Sequence, residues 1–198
     1  ALKPAIFTEQ GQRIAVIAAG AIFPKEFWAT DTSAGIFFPW REKLIRVLND
    51  TRPDVDYLFV TFHWGAEKRE TPKKYQKGLG RLCINHGADL VWGHHPHVVQ
   101  GIELYKGKPI IYSLGNFIFA SFSNTANGMV AKAIFKDKKL LSLKILPINV
   151  NNFEKPLQPS FLAGAEKTKF ISKVQALSDS IKVNGIKLDK DGSVNIYR

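Results

Sequence analysis

The chain has 198 residues, of which 45% are hydrophobic and 23% are charged, a composition that excludes disordered and fibrous proteins. Its longest apolar run, residues 14–23, is too short to cross a bilayer, and the single cysteine cannot form an internal disulfide. The formal net charge of +11 lies mainly in the second half and would attract a polyanion. A lysine-rich, solvent-exposed face is the alternative explanation. No basic cluster is interleaved with aromatic residues, so we expect no nucleic acid partner.

The first half of the chain alternates predicted strands and helices. Apolar runs without a polar alternation predict buried strands, and apolar residues at helical spacing predict helices. The predicted elements are a strand over Arg13–Ala19, a helix over Trp40–Asn49, a strand over Tyr57–Phe62, a helix capped by Thr71 and ended by Gly87, and a strand over Asp89–Trp92. The last three form a βαβ unit, whose two strands we expect to be parallel neighbours.

The second half reads as hairpins and one helix. Turn residues between apolar runs predict the hairpins, and an apolar stripe predicts the helix. The predicted elements are a hairpin over residues 102–112, a second over 129–148, a helix over Gly164–Ser178, and a third hairpin over 181–197 that turns at Asp191 and Gly192. The chain is therefore predicted to be a single domain, α/β passing into α+β, with a βαβ portion over 1–128 and hairpins and a helix over 129–198.

Four of the five histidines follow the two predicted parallel strands. His63 comes directly after the first strand, and His94, His95 and His97 come directly after the second. The carboxyl ends of parallel strands share one edge of a sheet, where ligands of open α/β sheets bind. Imidazole is the commonest metal ligand, and Pro96 stiffens the pair that flanks it. The pattern predicts a metal site, whereas hydrogen-bonded histidines in a turn are the alternative.

Other polar residues fall near the same predicted edge. Gly65 allows Glu67 to fold back towards His63, as a direct ligand or as a group that orients a ligand, unless it is a solvated loop acid. Gly115 and Asn116 follow the strand through residue 112, where the asparagine would contact a substrate oxyanion or cap a turn. His86 and Cys83 lie in a predicted helix, and we assign both of them structural roles.

These residues carry a resemblance to a known family. The matching stretches are Val60–Glu67, Pro72, Gln76, Gly87–Asp89, Gly93–Val98, Gln100 and Tyr112–Phe117. Together they resemble the CapA family of bacterial capsule and poly-γ-glutamate synthesis proteins, within the calcineurin-like metallophosphoesterase superfamily. The resemblance is dense over about 60 residues. It implies a partial metallophosphoesterase sandwich, in which sheets are flanked by helices.

The resemblance also implies a metal site and an activity. Its ligands in this chain would be His63, His95 and His97, with His94 nearby for substrate contact or proton transfer. From their positions near the same edge, we further predict Glu67 and His94 as catalytic residues and Gly115 and Asn116 as contacts to substrate. It implies two divalent ions in the complete protein, of manganese, iron, zinc or magnesium. The implied reaction is hydrolysis of a phosphoester, or of an amide in an anionic polymer. The alternative is a non-catalytic scaffold of a capsule export complex that handles the polymer.

The family's N-terminal ligands have no match before His63, so the chain resembles the C-terminal two-thirds of a CapA-like protein. We therefore expect these 198 residues alone to bind metal weakly and to be inactive, and to leave a sheet edge uncovered for association with another chain. The resemblance further implies a capsule synthesis or export complex as partner. It implies an extracytoplasmic protein anchored to the membrane by a segment outside this chain.

Overall fold

A computed structural model of the chain describes residues 3–22, 24–119, 127–154, 156–182 and 186–196. The described residues form eleven strands and three α-helices. The strands are β1 (Ala5–Glu9), β2 (Gln12–Gly20), β3 (Tyr57–His63), β4 (Leu90–His94), β5 (Ile102–Tyr105), β6 (Lys108–Ile111), β7 (Asn127–Lys136), β8 (Lys139–Asn149), β9 (Ser160–Phe161), β10 (Lys187–Leu188) and β11 (Ser193–Asn195). The helices are α1 (Arg41–Thr51), α2 (Lys74–Asn85) and α3 (Gly164–Asp179). Among the described residues, no helix is both long and apolar enough to cross a membrane.

The strands form two sheets. The six-stranded sheet has the order β1-β2-β3-β4-β6-β5, and its four central strands are parallel. The five-stranded sheet has the order β10-β11-β8-β7, with β9 paired to β8. The predicted βαβ unit is confirmed, because β3 and β4 are parallel neighbours joined through α2. The hairpins β5–β6, β7–β8 and β10–β11 are confirmed as antiparallel pairs, although residues 183–185 and 197 of the third lie outside the described residues.

Alternate residues of β3 face different layers. Val60 and Phe62 are fully buried in a core shared with α1 and α2. Phe59 points to the other face, where its ring lies 5.4 Å from that of Phe135 on β7. A second core lies between the two sheets and α3, with Val174 of α3 fully buried. The six-stranded sheet is therefore covered on both faces, as its unbroken apolar strands predict.

Two elements differ from the sequence prediction. β1 was not predicted, because all of its residues are exposed and it carries no buried stripe; it pairs with β2 through a turn at Gln10 and Gly11, both at positive φ. Thr71 does not cap α2, which begins at Lys74. The Lys73 N–H instead donates to Gln76 Oε1 at 2.8 Å, so the cap comes from inside the helix.

Candidate metal centre

The predicted gathering of histidines at one sheet edge is confirmed. β3 and β4 end side by side, with His63 opposite His94 in the parallel register. A crevice of about 390 Å³ opens beside this edge, and both histidines line it together with Thr61. The Thr61 Oγ1 is, among the described residues, the buried side-chain polar atom that lacks a hydrogen-bond partner. The edge therefore offers imidazoles and a hydroxyl around one space.

The backbone at this edge adopts conformations that non-glycine residues rarely take. His95 has φ of 98°, His97 of 58° and Lys68 of 58°. Each such residue costs free energy, and the surrounding structure must hold it in place. One such restraint is a hydrogen bond of 2.7 Å from the Lys68 N–H to the Pro96 carbonyl, which ties the two loops together. Backbone strain of this kind concentrates at functional sites.

Glu67, His95 and His97 bring three ligand atoms together. A carboxylate oxygen and one nitrogen from each ring all lie within 4.8 Å of one another. Both rings are partly buried, whereas the carboxylate is exposed. Glu67 thus lies with the ligand pair predicted from the His-Pro-His sequence, and its role as catalytic residue, orienting group or ligand stays a prediction.

His63 and His94 contact each other at the side of this cluster. Their Nδ1 atoms are 2.9 Å apart, so one ring donates a hydrogen bond to the other. The His63 ring also lies 4.6 Å from the His95 ring, centroid to centroid. Both predicted residues are therefore adjacent to the cluster, and their roles as ligand and as catalytic residue stay predictions.

Asn116 fixes the orientation of His97. Its Oδ1 lies 2.8 Å from the His97 Nδ1, and a carbonyl oxygen only accepts, so Nδ1 carries the proton. The Nε2 of His97 is then the nitrogen with a free lone pair, as a metal ligand requires. Phe119 packs on the same ring at 4.6 Å between centroids. The predicted contact between Asn116 and substrate stays a prediction, as does that of Gly115.

Close backbone approaches hold the loops of the site in place. Trp64 donates from Nε1 to the Tyr112 carbonyl at 2.8 Å, directly across Gly93, where a Cβ would lie 2.0 Å from that nitrogen. A Cβ on Gly128 would lie 1.9 Å from the Asn116 carbonyl oxygen, so β7 can approach the Asn116 turn only with glycine there. The second sheet therefore supports the residue that orients His97.

Burial favours the neutral form of three imidazoles of the site, those of His63, His94 and His95. Burial, followed by the charges of His94, His95 and His97, lowers the pKa of His63 to about 4. Burial and the neighbouring His97 lower the pKa of His95, against an opposing effect of Glu67. Neutral imidazole is the form that ligates metal, and two imidazoles with one carboxylate are a donor set for zinc, manganese or iron. The residues present therefore fit a divalent cation, without fixing its identity.

The remaining predicted residues take structural positions. His86 follows the end of α2 and its Nδ1 lies 3.0 Å from Asn49 Oδ1. Cys83 is fully buried, and burial raises the pKa of its thiol. Sequence reasoning gave no role to Gln76 and Gln100, which are both fully buried beside the site. A signal existed for Gln76, because it lies one turn before Leu79 on the apolar face of its helix.

Comparison with known proteins identifies the family. The sequence model of the bacterial capsule synthesis protein PGA_cap matches residues 1–121. The chain belongs to this family. It is 31% identical over 142 residues to the PGA biosynthesis protein CapA of Bacillus subtilis (strain 168), covering 71% of this chain and 37% of that relative. It is also 31% identical over 110 residues to the capsule biosynthesis protein CapA of Bacillus anthracis, covering 55% of this chain and 27% of that relative. The matches span about a third of these PGA_cap relatives.

A relative matched over a shorter stretch and a solved structure complete the comparison. A probable polyglutamine synthesis accessory protein of Mycobacterium tuberculosis is 36% identical over 73 residues, which cover 37% of this chain and 19% of that protein. The sulfate thiohydrolase SoxB of Thermus thermophilus superimposes with a TM-score of 0.51 at 15% identity, over 89% of this chain and 29% of that one. This PGA_cap chain therefore has the calcineurin-like metallophosphoesterase fold, as predicted.

Proposed function

We propose that the chain carries part of a metal-dependent hydrolase site, for a phosphoester or for an amide of an anionic polymer. The observation that carries this proposal is the convergence of Glu67, His95 and His97 within 4.8 Å. These three residues would hold a divalent ion, with His63 beside them as a further ligand. A bound ion of this kind supplies Lewis-acid polarisation of the scissile group and a more acidic water.

The protein's own residues would prepare the site. Asn116 holds the proton on the His97 Nδ1 and so directs its Nε2 towards the ion. His94 contacts His63 and lines the crevice, which places it to transfer a proton to or from a substrate there. The crevice would admit the scissile group, and a net charge of +11 would draw in an anionic substrate.

The names of the relatives support a polymer of glutamate as the substrate class. Those relatives are described as a PGA biosynthesis protein, a capsule biosynthesis protein and a polyglutamine synthesis accessory protein. Membership of the family supports action within a capsule synthesis complex. We propose that the protein itself lies outside the cytoplasmic membrane and is associated with it. Protease accessibility of the protein on intact spheroplasts tests that location, and full protection would contradict it.

The test of hydrolysis uses the longest natural form of the protein. With Mn²⁺ added, we expect turnover of bis(p-nitrophenyl) phosphate or shortening of poly-γ-glutamate, lost in His97→Ala and kept in His86→Ala. His86 is the matched control because it lies outside the cluster. Equal turnover by the two variants would contradict a site at this edge.

A scaffold that handles polymer without cleaving it is the second candidate. The basic charge favours it, as does the word accessory in the name of one relative. Binding of poly-γ-glutamate that needs no metal, without turnover in the same assay, would favour this candidate over the hydrolase. The exposed edge strand β1 supports association with another chain in either case.

A further inference from the structure

Two buried glutamines connect the loop that carries Glu67 to the body of the protein. Gln76 lies in the first turn of α2 and Gln100 follows the histidine loop, and both side chains are fully buried. The Gln76 Nε2 donates to Gln100 Oε1 at 3.0 Å. The Gln100 Nε2 in turn donates to the Arg69 carbonyl at 2.7 Å. We call this pair the amide relay.

The direction of the amide relay is fixed by backbone groups at its two ends. The Lys73 N–H can only donate, and it donates to Gln76 Oε1 at 2.8 Å. The Arg69 carbonyl can only accept, so each amide must present its oxygen on one side and its nitrogen on the other. Because the pair is buried, a lost partner would leave a buried polar group unsatisfied, which is unfavourable. The donors and acceptors of the amide relay therefore have a single arrangement.

The amide relay is hydrogen-bonded to backbone groups that follow Glu67 in the sequence. Arg69 and Lys73 are two and six residues beyond the carboxylate, which itself is exposed. On the near side, the Gly65 N–H donates to the Tyr75 hydroxyl at 2.6 Å, and a Cβ on Gly65 would lie 3.2 Å from the Gln76 amide nitrogen. The same pair of helix residues, 75 and 76, thus restrains both ends of the loop.

We propose that Gln76 and Gln100 are positioning residues for the metal centre, and that they act through Glu67. Their hydrogen bonds run to each other and to the backbone of Lys73 and Arg69. An exposed carboxylate on a loop becomes a good ligand only when the loop is held, because ordering it on binding would otherwise cost conformational entropy. The amide relay orders the loop in the metal-free protein, so that metal binding does not have to order it. This inference rests on the proposed metal site.

The test measures Co²⁺ affinity by visible absorption in the full 198-residue chain. We expect Gln100→Met, which keeps the side-chain volume and removes both amide bonds, to weaken Co²⁺ binding by about 10- to 100-fold, the usual effect of losing a group that orients a ligand. In a Glu67→Gln background the same change should cause no further loss. If Gln100→Met does not fold, Gln100→Asn, whose amide is one methylene shorter, carries the same expectation.

The matched control is Gln175→Met. The partly buried Gln175 on α3 also accepts from a backbone N–H, that of Leu188, and donates to a backbone carbonyl, that of Ile186, both at 2.8 Å and away from the histidines. Its Nε2 donates to Asp179 Oδ1 as well, at 2.8 Å. We expect Gln175→Met to leave Co²⁺ affinity unchanged. Absence of Co²⁺ binding by the unmodified chain would overturn the metal site and the relay together. Normal affinity in folded Gln100→Met, or an equal loss in the Glu67→Gln background, would overturn the relay alone.

Discussion

The two ends of the parallel strands in the six-stranded sheet differ in how their charged and polar side chains are partnered. At the amino ends, Asp89 is buried and fully partnered: it accepts from Arg52 at 2.7 Å, from Lys108 at 2.8 Å and from the Leu58 N–H at 3.0 Å. At the carboxyl ends, imidazoles contact one another, and the Glu67 carboxylate is exposed beside them. One end contains a buried carboxylate between two cations, and the other collects groups that can ligate a metal.

The backbone differs in the same way. The residues of the ion pairs at the amino ends have ordinary negative φ, whereas His95, His97 and Lys68 at the carboxyl ends have positive φ. Removing one partner of a buried ion pair destabilises a fold, while strained backbone is tolerated where it serves binding. The comparison teaches that the buried ion pairs and the proposed metal site lie at opposite edges of one sheet, so each should respond to different substitutions.

The largest expected effect is on folding, at the amino ends. Asp89→Ala leaves Arg52 and Lys108 without their shared carboxylate, and we expect it to lower the free energy of unfolding by about 3 kcal/mol. Chemical denaturation measures this change. Asp191→Ala, which breaks the exposed ion pair with Lys144, is the control and should change stability little. Weakened Co²⁺ binding in folded Asp89→Ala would contradict the separation of the two edges.

A smaller effect is expected from Asn116 at the carboxyl ends. Asn116→Leu keeps the volume but removes the acceptor that holds the proton on His97 Nδ1. We expect Co²⁺ affinity to fall about tenfold, which is about 1.4 kcal/mol. A titration followed by visible absorption measures it. Unchanged affinity would show that His97 needs no partner to present its Nε2.

A third effect is expected in the pH dependence of the metal-free protein. The pKa of His63 is lowered to about 4 from an ordinary value of 6.5, so the folded state binds fewer protons than the unfolded chain. The free energy of unfolding should therefore be constant above about pH 6.5 and decrease as the pH falls towards 4. Denaturation across this range measures the slope. His63→Gln should flatten it and His86→Gln should not; the reverse would contradict the account.

The sequence allowed prediction of the features that depend on apolar periodicity and on which strands are neighbours. The unbroken apolar run of β3 indicated a strand buried on both faces, and the histidines after β3 and β4 indicated a shared edge. It did not predict β1, whose residues are all exposed. Buried apolar patterns are local, and a strand without one leaves no such signal.

The contacts between distant residues in the site could not be predicted. Asn116 contacts His97 in a turn that β7 approaches closely at Gly128. Gln76 and Gln100 are 24 residues apart, and their bond depends on how α2 lies against the histidine loop. The position of Glu67 among the ligand atoms depends on Lys68 taking positive φ, which the residue type disfavours. Such contacts follow from tertiary packing.

The central claim is that Glu67, His95 and His97 bind one divalent ion at the carboxyl ends of the parallel strands. A Co²⁺ titration of the metal-free chain, followed by visible absorption, tests it most directly in four variants. The account predicts that the absorption bands of the bound ion disappear in His95→Ala and His97→Ala and persist in His94→Ala and His86→Ala. Loss of the bands in His94→Ala with retention in His95→Ala would contradict it.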